Sequence, residues 1–403
     1  MADKQKNVPY RRFKEFENAD AWEQRKLGDL TESFEYGLNA SAKVYDGINK
    51  YVRITDIDDE THTFKMNSVT SPDTDLKFAG KYRLKKGDIL FARTGASVGK
   101  TYCYRESDGF VYYAGFLVRA RIKPQFNYKF VFQNTLTETY KKFIRVTSQR
   151  SGQPGVNAKE YSSLKIMVPR IEEQSKIGNF LSKIDHLITL HQRKYDKLKK
   201  LKSAYLTEMF PAEGERKPKR RFSGFTDDWE QRKLGDIVPI TMGQSPNSIN
   251  YTDNPQDQIL VQGNADMKEG YVVPRVWTTQ ITKMADKGDL ILSVRAPVGD
   301  IGKTNYDVVL GRGVAGIKGN SFIFQQLGMM KLNGYWNRYS TGSTFESINS
   351  KDLKTSVINI PSKEEQTKIG KFFDNIDHLI TLHQQQLEKL KNLKQAYLNE
   401  MFV

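Results

Sequence analysis

The spacing of apolar residues along this chain changes character twice, and each change recurs. Short apolar runs bounded by turn residues come first: DILFAR (88–93), FLVRARI (116–122) and LKIMVP (164–169). Their length and content predict strands. DLILSVR (289–295) and TSVINIP (355–361) predict two more, and Gly87-Asp88 and Gly288-Asp289 mark turns entering a strand. FNYKFVFQNTLTETYKKFIRV (126–146) takes helical spacing between such runs. After Pro169 and after Pro361 the period lengthens for good. Ile184, Leu187, His191, Lys194, Leu198, Leu201 and Tyr205 alternate steps of three and four, as do Ile376, Leu379, His383, Gln386, Leu390, Leu393 and Tyr397. That seam predicts two long helices packed on each other. Glu172-Glu173 and Glu364-Glu365 open them, where carboxylates suit the positive end of the helix dipole. About 38 residues rising about 1.5 Å each give a helix of roughly 57 Å.

The chain repeats itself. DAWEQRKLGDL (20–30) returns as DDWEQRKLGDI (227–237), each preceded by an Arg-Arg-Phe, Arg11-Arg12-Phe13 and Arg220-Arg221-Phe222. KKGDILFARTGASVGKT (85–101) echoes DKGDLILSVRAPVGDIGKT (286–304). Residues 169–210 align with 361–402 without a gap, identical at roughly two-thirds of positions, sharing EEQ, KIG, IDHLITLH and a final EMF. A period near 200 residues is far longer than the roughly 20–50 of a solenoid, so this is a doubled unit. The interiors diverge: 31–84 and 238–285 share little. The expected organisation is a globular domain over 1–168, a helical repeat over 169–210, a basic linker over 211–221, a second globular domain over 222–360 and a closing helical repeat over 361–403. Each globule reads as mixed α/β. The chain as a whole is expected to be α+β, two such domains separated by two long helices in an antiparallel coiled coil with pseudo-twofold symmetry.

Composition narrows the partner. Lysine and arginine number 63 against 47 acids, a net charge of +16. Such an excess favours a polyanion, nucleic acid first. With 38% hydrophobic and 11% aromatic residues, packed cores are expected rather than disorder. No apolar run approaches the roughly 18 residues of a spanning helix, and the first residues lack the apolar stretch of a signal peptide. A cytoplasmic protein without a membrane partner is the expectation. One cysteine, Cys103, excludes an intrachain disulfide and a cysteine-held zinc.

Catalytic signatures are missing. Gly-Lys-Thr at 99–101 and at 302–304 resembles the end of a phosphate loop, but Thr94 and Pro297 stand where that loop needs glycine. His186 and His191, like His378 and His383, are five apart and so on different helix faces. They read as polar seam residues rather than metal ligands. No glycine-rich cofactor loop and no amino-methyltransferase signature occurs. Trp22 and Trp229 read as structural anchors.

Taken in order, WEQRKLGD opening each half, Gly-Asp entering a strand, and Pro169 or Pro361 followed by Glu-Glu-Gln-x-Lys-Ile-Gly opening a long helix resemble the specificity subunits of type I restriction–modification enzymes. The resemblance spans essentially the whole chain. It implies a non-catalytic subunit whose two variable domains are target recognition domains. Each would read half of a bipartite, asymmetric sequence in double-stranded DNA. It also implies that the helical repeats dock two adenine methyltransferase subunits, joined for restriction by motor/nuclease subunits. No cofactor is then expected on this chain; S-adenosylmethionine, ATP and Mg would belong to the partners. Half-sites read by two rigidly joined domains would lie about one DNA turn, roughly 34 Å, apart. A stand-alone DNA-binding regulator built as an internal pseudo-dimer is the rival expectation.

Base edges and phosphates are contacted by arginine, lysine and small polar side chains. Two polar, glycine-bearing stretches in each half supply them. The first offers Arg93, Thr94, Ser97 and Lys100, matched by Arg295 and Lys303; the second offers Gln149, Arg150, Ser151 and Gln153, matched by Ser340, Thr341, Ser343 and Thr344. A structural ion pair is the rival reading for Arg93 and Arg295, and loop shaping for the second stretch. Tyr112 and Tyr113 read as strand packing before DNA stacking.

Overall fold

The computed structural model describes residues 7–149, 152–339 and 347–403. The chain divides into two compact units, one of Met1–Gln192 with Gln386–Val403 and the other of Arg193–Gln385. The division falls inside both long helices.

Unit 1 is built on a four-stranded antiparallel sheet in the order Thr31–Tyr36, Leu117–Ile122, Asp88–Ala92, Thr101–Cys103. A parallel pair, Asn49–Val52 with Phe110–Tyr113, lies outside it. Leu90, Tyr102, Val111, Tyr113 and Leu117 are fully buried in one cluster, so Tyr113 is packing, as is the nearly buried Tyr112. Unit 2 repeats the four strands in order and sense as Ile240–Met242, Val314–Ile317, Leu290–Ser293 and Ile301–Lys303, then extends them by two. A second, five-stranded sheet absorbs much of the residues that diverge in sequence. The Gly-Asp turns share one device. Asp88 accepts from the Lys85 N–H at 2.8 Å, and Asp289 from the Asp286 N–H at 2.9 Å. Asp88 is itself fully buried against Arg121 at 2.8 Å.

The repeated motifs meet one another. In unit 1, Arg12 donates to Glu173 at 2.8 and 2.5 Å, both side chains nearly inaccessible. In unit 2, Arg221 donates to Glu365 at 2.7 Å through two nitrogens. A buried charge is tolerated when its partner satisfies it this way. The glutamine that follows each glutamate turns back on the preceding proline carbonyl, Gln174 to Pro169 at 2.8 Å and Gln366 to Pro361 at 3.0 Å. Trp22 packs edge-on to Phe130 and Phe402, and Trp229 to Phe322 and Phe210. Both tryptophans are the anchors expected. The terminal phenylalanine of each helical repeat therefore closes the unit that the other repeat opens.

The central helix runs Ile171–Met209 and the C-terminal helix Lys363–Met401. Within each unit, the first half of one runs antiparallel to the last half of the other. In unit 1 Phe180 meets Tyr397, and Asp185 pairs with Lys394 at 2.6 Å; in unit 2 Phe372 meets Tyr205, and Asp377 pairs with Lys202 at 2.7 Å. The same aspartates accept a hydrogen bond from a buried glutamine on the globule's helix, Gln133 at 2.7 Å and Gln325 at 2.8 Å. Gly178 lets that helix approach: a Cβ there would stand 2.7 Å from the Phe130 nitrogen.

The seam keeps Ile184 and Ile376 buried as expected but departs from its expected register at the leucines. Leu187 and Leu201, with Leu379 and Leu393, are about 40% exposed, whereas Ile188, Leu206, Ile380 and Leu398 are buried. Each helix packs on its globule as well as on its partner, which rotates the buried stripe by about one residue off a two-helix heptad. His186 and His378 accordingly face outward. No helix is long and apolar enough to cross a membrane among the described residues.

Candidate nucleic-acid interface

The loop that follows the strand Asp88–Ala92 returns toward the sheet, and the segment ahead of the last strand lies against it. Thr94 bridges Gly155, the Gly95 N–H donates to Pro154 O at 3.0 Å, and the Val156 N–H donates to Arg93 O at 2.9 Å. Unit 2 makes the same junction: Arg295 bridges Ser347, and the Ile348 N–H donates to Val294 O at 2.9 Å. The two polar stretches singled out in each half thus form one loop pair per unit. Arg150, Ser151, Ser340, Thr341, Ser343 and Thr344 lie outside the described residues.

Arg93 is half-buried, and no carboxylate or other hydrogen-bond partner meets its side chain among the described residues; its Nε is buried and unsatisfied. The guanidinium lies over the Tyr36 ring at 4.9 Å and near the Phe116 ring at 5.9 Å. Other enclosed arginines behave differently. Arg12, Arg119, Arg121 and Arg221 each hold a carboxylate. Arg295 is exposed and likewise has no ion-pair partner among the described residues. Among the described residues the ion-pair reading of these two arginines finds no partner. Gln149 and Gln153 are exposed, and the Gln153 amide approaches Gly95, whose φ of +72° lets the turn form. Ser97 is half-buried in that turn, its carbonyl accepting from the Lys100 N–H at 3.0 Å.

Two lysines of the set have other employment. Lys100 is 10% exposed, with its ammonium 2.5 Å from Asp59 and 3.2 Å from Ile57 O. Lys303 reaches Asp374 at 2.8 Å and Ser321 at 3.0 Å. Nor are the two equivalent. Ile89 faces Cys103 across the sheet where Leu290 faces Lys303, so Cys103 and Lys303 correspond. Gly99 and Gly299, both at φ +84°, are the matching turn glycines, which sets Lys100 against Asp300. The shared Gly-Lys-Thr string is three residues out of register between the units. The basic linker is similarly occupied: Lys217 pairs with Asp228 at 3.0 Å and Arg220 with Glu208 at 2.5 Å.

Sequence reasoning missed Tyr36 and Phe116, which are 43% and 61% exposed. The available signal was an aromatic directly before Gly37, at a strand end, and another directly after Gly115. Cys103 is half-buried, and desolvation pushes its thiol up to about 12. No group of three or more histidine, cysteine, aspartate or glutamate side chains among the described residues could hold a metal ion.

The type I restriction modification DNA specificity domain matches this chain twice, over residues 19–200 and 226–392. The chain is similar to a protein of Methanocaldococcus jannaschii named as the type I restriction enzyme MjaX specificity subunit, 30% identical over 94% of this chain and 92% of that one. It is also similar to the MjaVIII specificity subunit of the same organism, 21% identical over 78% of each. Its fold matches the crystal structure of the S subunit of a type I restriction–modification system from M. genitalium. That match has a TM-score of 0.71 at 14% identity and covers 98% of this chain and 99% of the other. With both halves matched and a 30% identical relative along nearly its full length, the chain belongs to the type I restriction modification DNA specificity family.

Proposed function

We propose that this protein is the sequence-reading subunit of a type I restriction–modification complex, and that each unit reads one half of a split, asymmetric site in double-stranded DNA. The observation that carries the reading is the contrast between frame and loops. Both units share the Arg-Glu pair, the tryptophan anchor and the four-strand sheet, yet differ in the residues that line the loop pair. A common frame bearing two unlike surfaces suits two unlike half-sites. Arg93 and Arg295, charged and without carboxylate partners among the described residues, suit an anionic, hydrogen-bond-accepting ligand. Lys100 and Lys303 are left out of the contact set because their charge is already satisfied.

The chemistry belongs to partners in this reading. Two adenine methyltransferase subunits, carrying S-adenosylmethionine, dock on the long helices, and ATP- and Mg-dependent motor/nuclease subunits join them in the cytoplasm. The outward leucines repeated on both helices, Leu187 with Leu379 and Leu190 with Leu382, are about 40% exposed and suit an apolar contact. Coexpression with the modification subunit tests this. The expected result is a complex of two modification subunits per chain, lost in L187D/L379D without a change in melting temperature. Recovery of the full complex with that variant, or of the chain alone from the wild type, contradicts the docking role.

A further inference from the structure

Arg93 carries more design than general affinity for DNA requires. Its backbone is fixed on both sides, the N–H donating to Phe116 O at 3.1 Å and the carbonyl accepting from the Val156 N–H at 2.9 Å. Its guanidinium is bracketed by Tyr36 and Phe116. The Tyr36 hydroxyl in turn accepts from the Ala158 N–H at 3.3 Å, which ties that ring to the neighbouring loop. No side-chain donor of Arg93 has a hydrogen bond among the described residues. The result is a planar fork of donors with its rotation limited by aromatic faces and its charge unanswered. A phosphate contact needs only a cation within reach. A fixed plane is useful where two parallel acceptors must be met edge-on, and among base edges the O6 and N7 of guanine present that pair in the major groove.

We propose that Arg93 reads a guanine in the half-site of unit 1, with Tyr36 and Phe116 holding the orientation of its fork. The inference rests on the reading of unit 1 as one half-site's recognition domain. It adds the chemistry: that half-site contains a G·C pair, and discrimination at that pair depends on the guanidinium rather than on positive charge. Lysine at position 93 keeps the charge and loses the fork, so R93K separates the two roles.

The test uses the chain assembled with its modification subunits. Sequencing of methylated bases in DNA from expressing cells gives the wild-type site, and exchange of residues 31–168 identifies the half read by unit 1. Competition binding then uses duplexes carrying that site with each base pair of this half replaced in turn. R93K is expected to lose about 5- to 150-fold discrimination at one G·C pair, the range a bidentate arginine–guanine contact supplies, with the other half unaffected. F116L, which alters an exposed ring, is expected to weaken discrimination at the same pair while the complex assembles normally, and it decides the matter should R93K fold poorly. A unit 1 half-site without a G·C pair overturns the proposal. So does unchanged discrimination in R93K or F116L, or a loss of affinity spread evenly over all sequences. A wild-type complex that methylates no split site would instead strike the specificity-subunit reading itself, and this proposal with it.

Discussion

His62 holds a left-handed backbone with φ +52°, its Nδ1 3.1 Å from Thr101 O and its ring against Phe132. Burial lowers its pKa below the usual 6.5; the Thr101 carbonyl, Asp185 and Asp58 oppose that shift, and Lys394 adds to it. In the unfolded chain the imidazole takes a proton near 6.5. Between that value and the lower folded one the unfolded state binds more protons, so stability falls as pH drops through this window. The melting temperature of unit 1 is expected to fall from pH 7.5 to pH 5.5, and H62N, which tolerates the left-handed backbone, is expected to flatten the dependence. An equal drop in wild type and H62N would assign the effect to other groups. Single residues also show what spacing alone conveyed. Arg93 and Lys100 look alike in sequence as cations beside glycines. What separates them is Asp59, remote in the chain, which only the folded loop brings to Lys100.

Elements were legible where the repeat states them twice. The strands entered by Gly-Asp, the helices opened by Pro and Glu-Glu-Gln, and the tryptophan anchors all follow from local pattern. The buried face of the long helices did not. Leu187 and Ile188 are adjacent and both apolar, and the choice between them is made by the globule's helix, which a heptad template ignores. The glycine of Lys-Ile-Gly records that second contact. At Gly178 a Cβ would lie 2.7 Å from backbone and side-chain atoms of the globule's helix, whereas at Gly370 the nearest atoms stand at 3.1 and 3.2 Å. Alanine gains about 1 kcal/mol of helix propensity at either site, and overpacking costs about 1–3 kcal/mol. G178A is therefore expected to destabilise, and G370A to destabilise less because its neighbours need give only by a few tenths of an ångström. Urea unfolding of the two variants checks the order; equal effects would mean the two junctions are not as differently packed as these distances imply.

At the scale of the whole molecule, doubling supplies the logic. Each helical repeat ends in a phenylalanine that packs on the tryptophan of the opposite half, so neither half of the sequence completes a unit by itself. The frame is shared and the loop pairs are private. That separation is why fold and family were readable from one sequence while the contacts to bases were not. The loop pairs differ in sequence between the halves and carry no periodicity. The central claim, that each unit reads its own half of one split site, is tested most directly by replacing residues 31–168 with those of another specificity subunit and sequencing the methylated DNA. The account predicts a new sequence in one half of the site and the original sequence in the other. A change in both halves, or in neither, would contradict it.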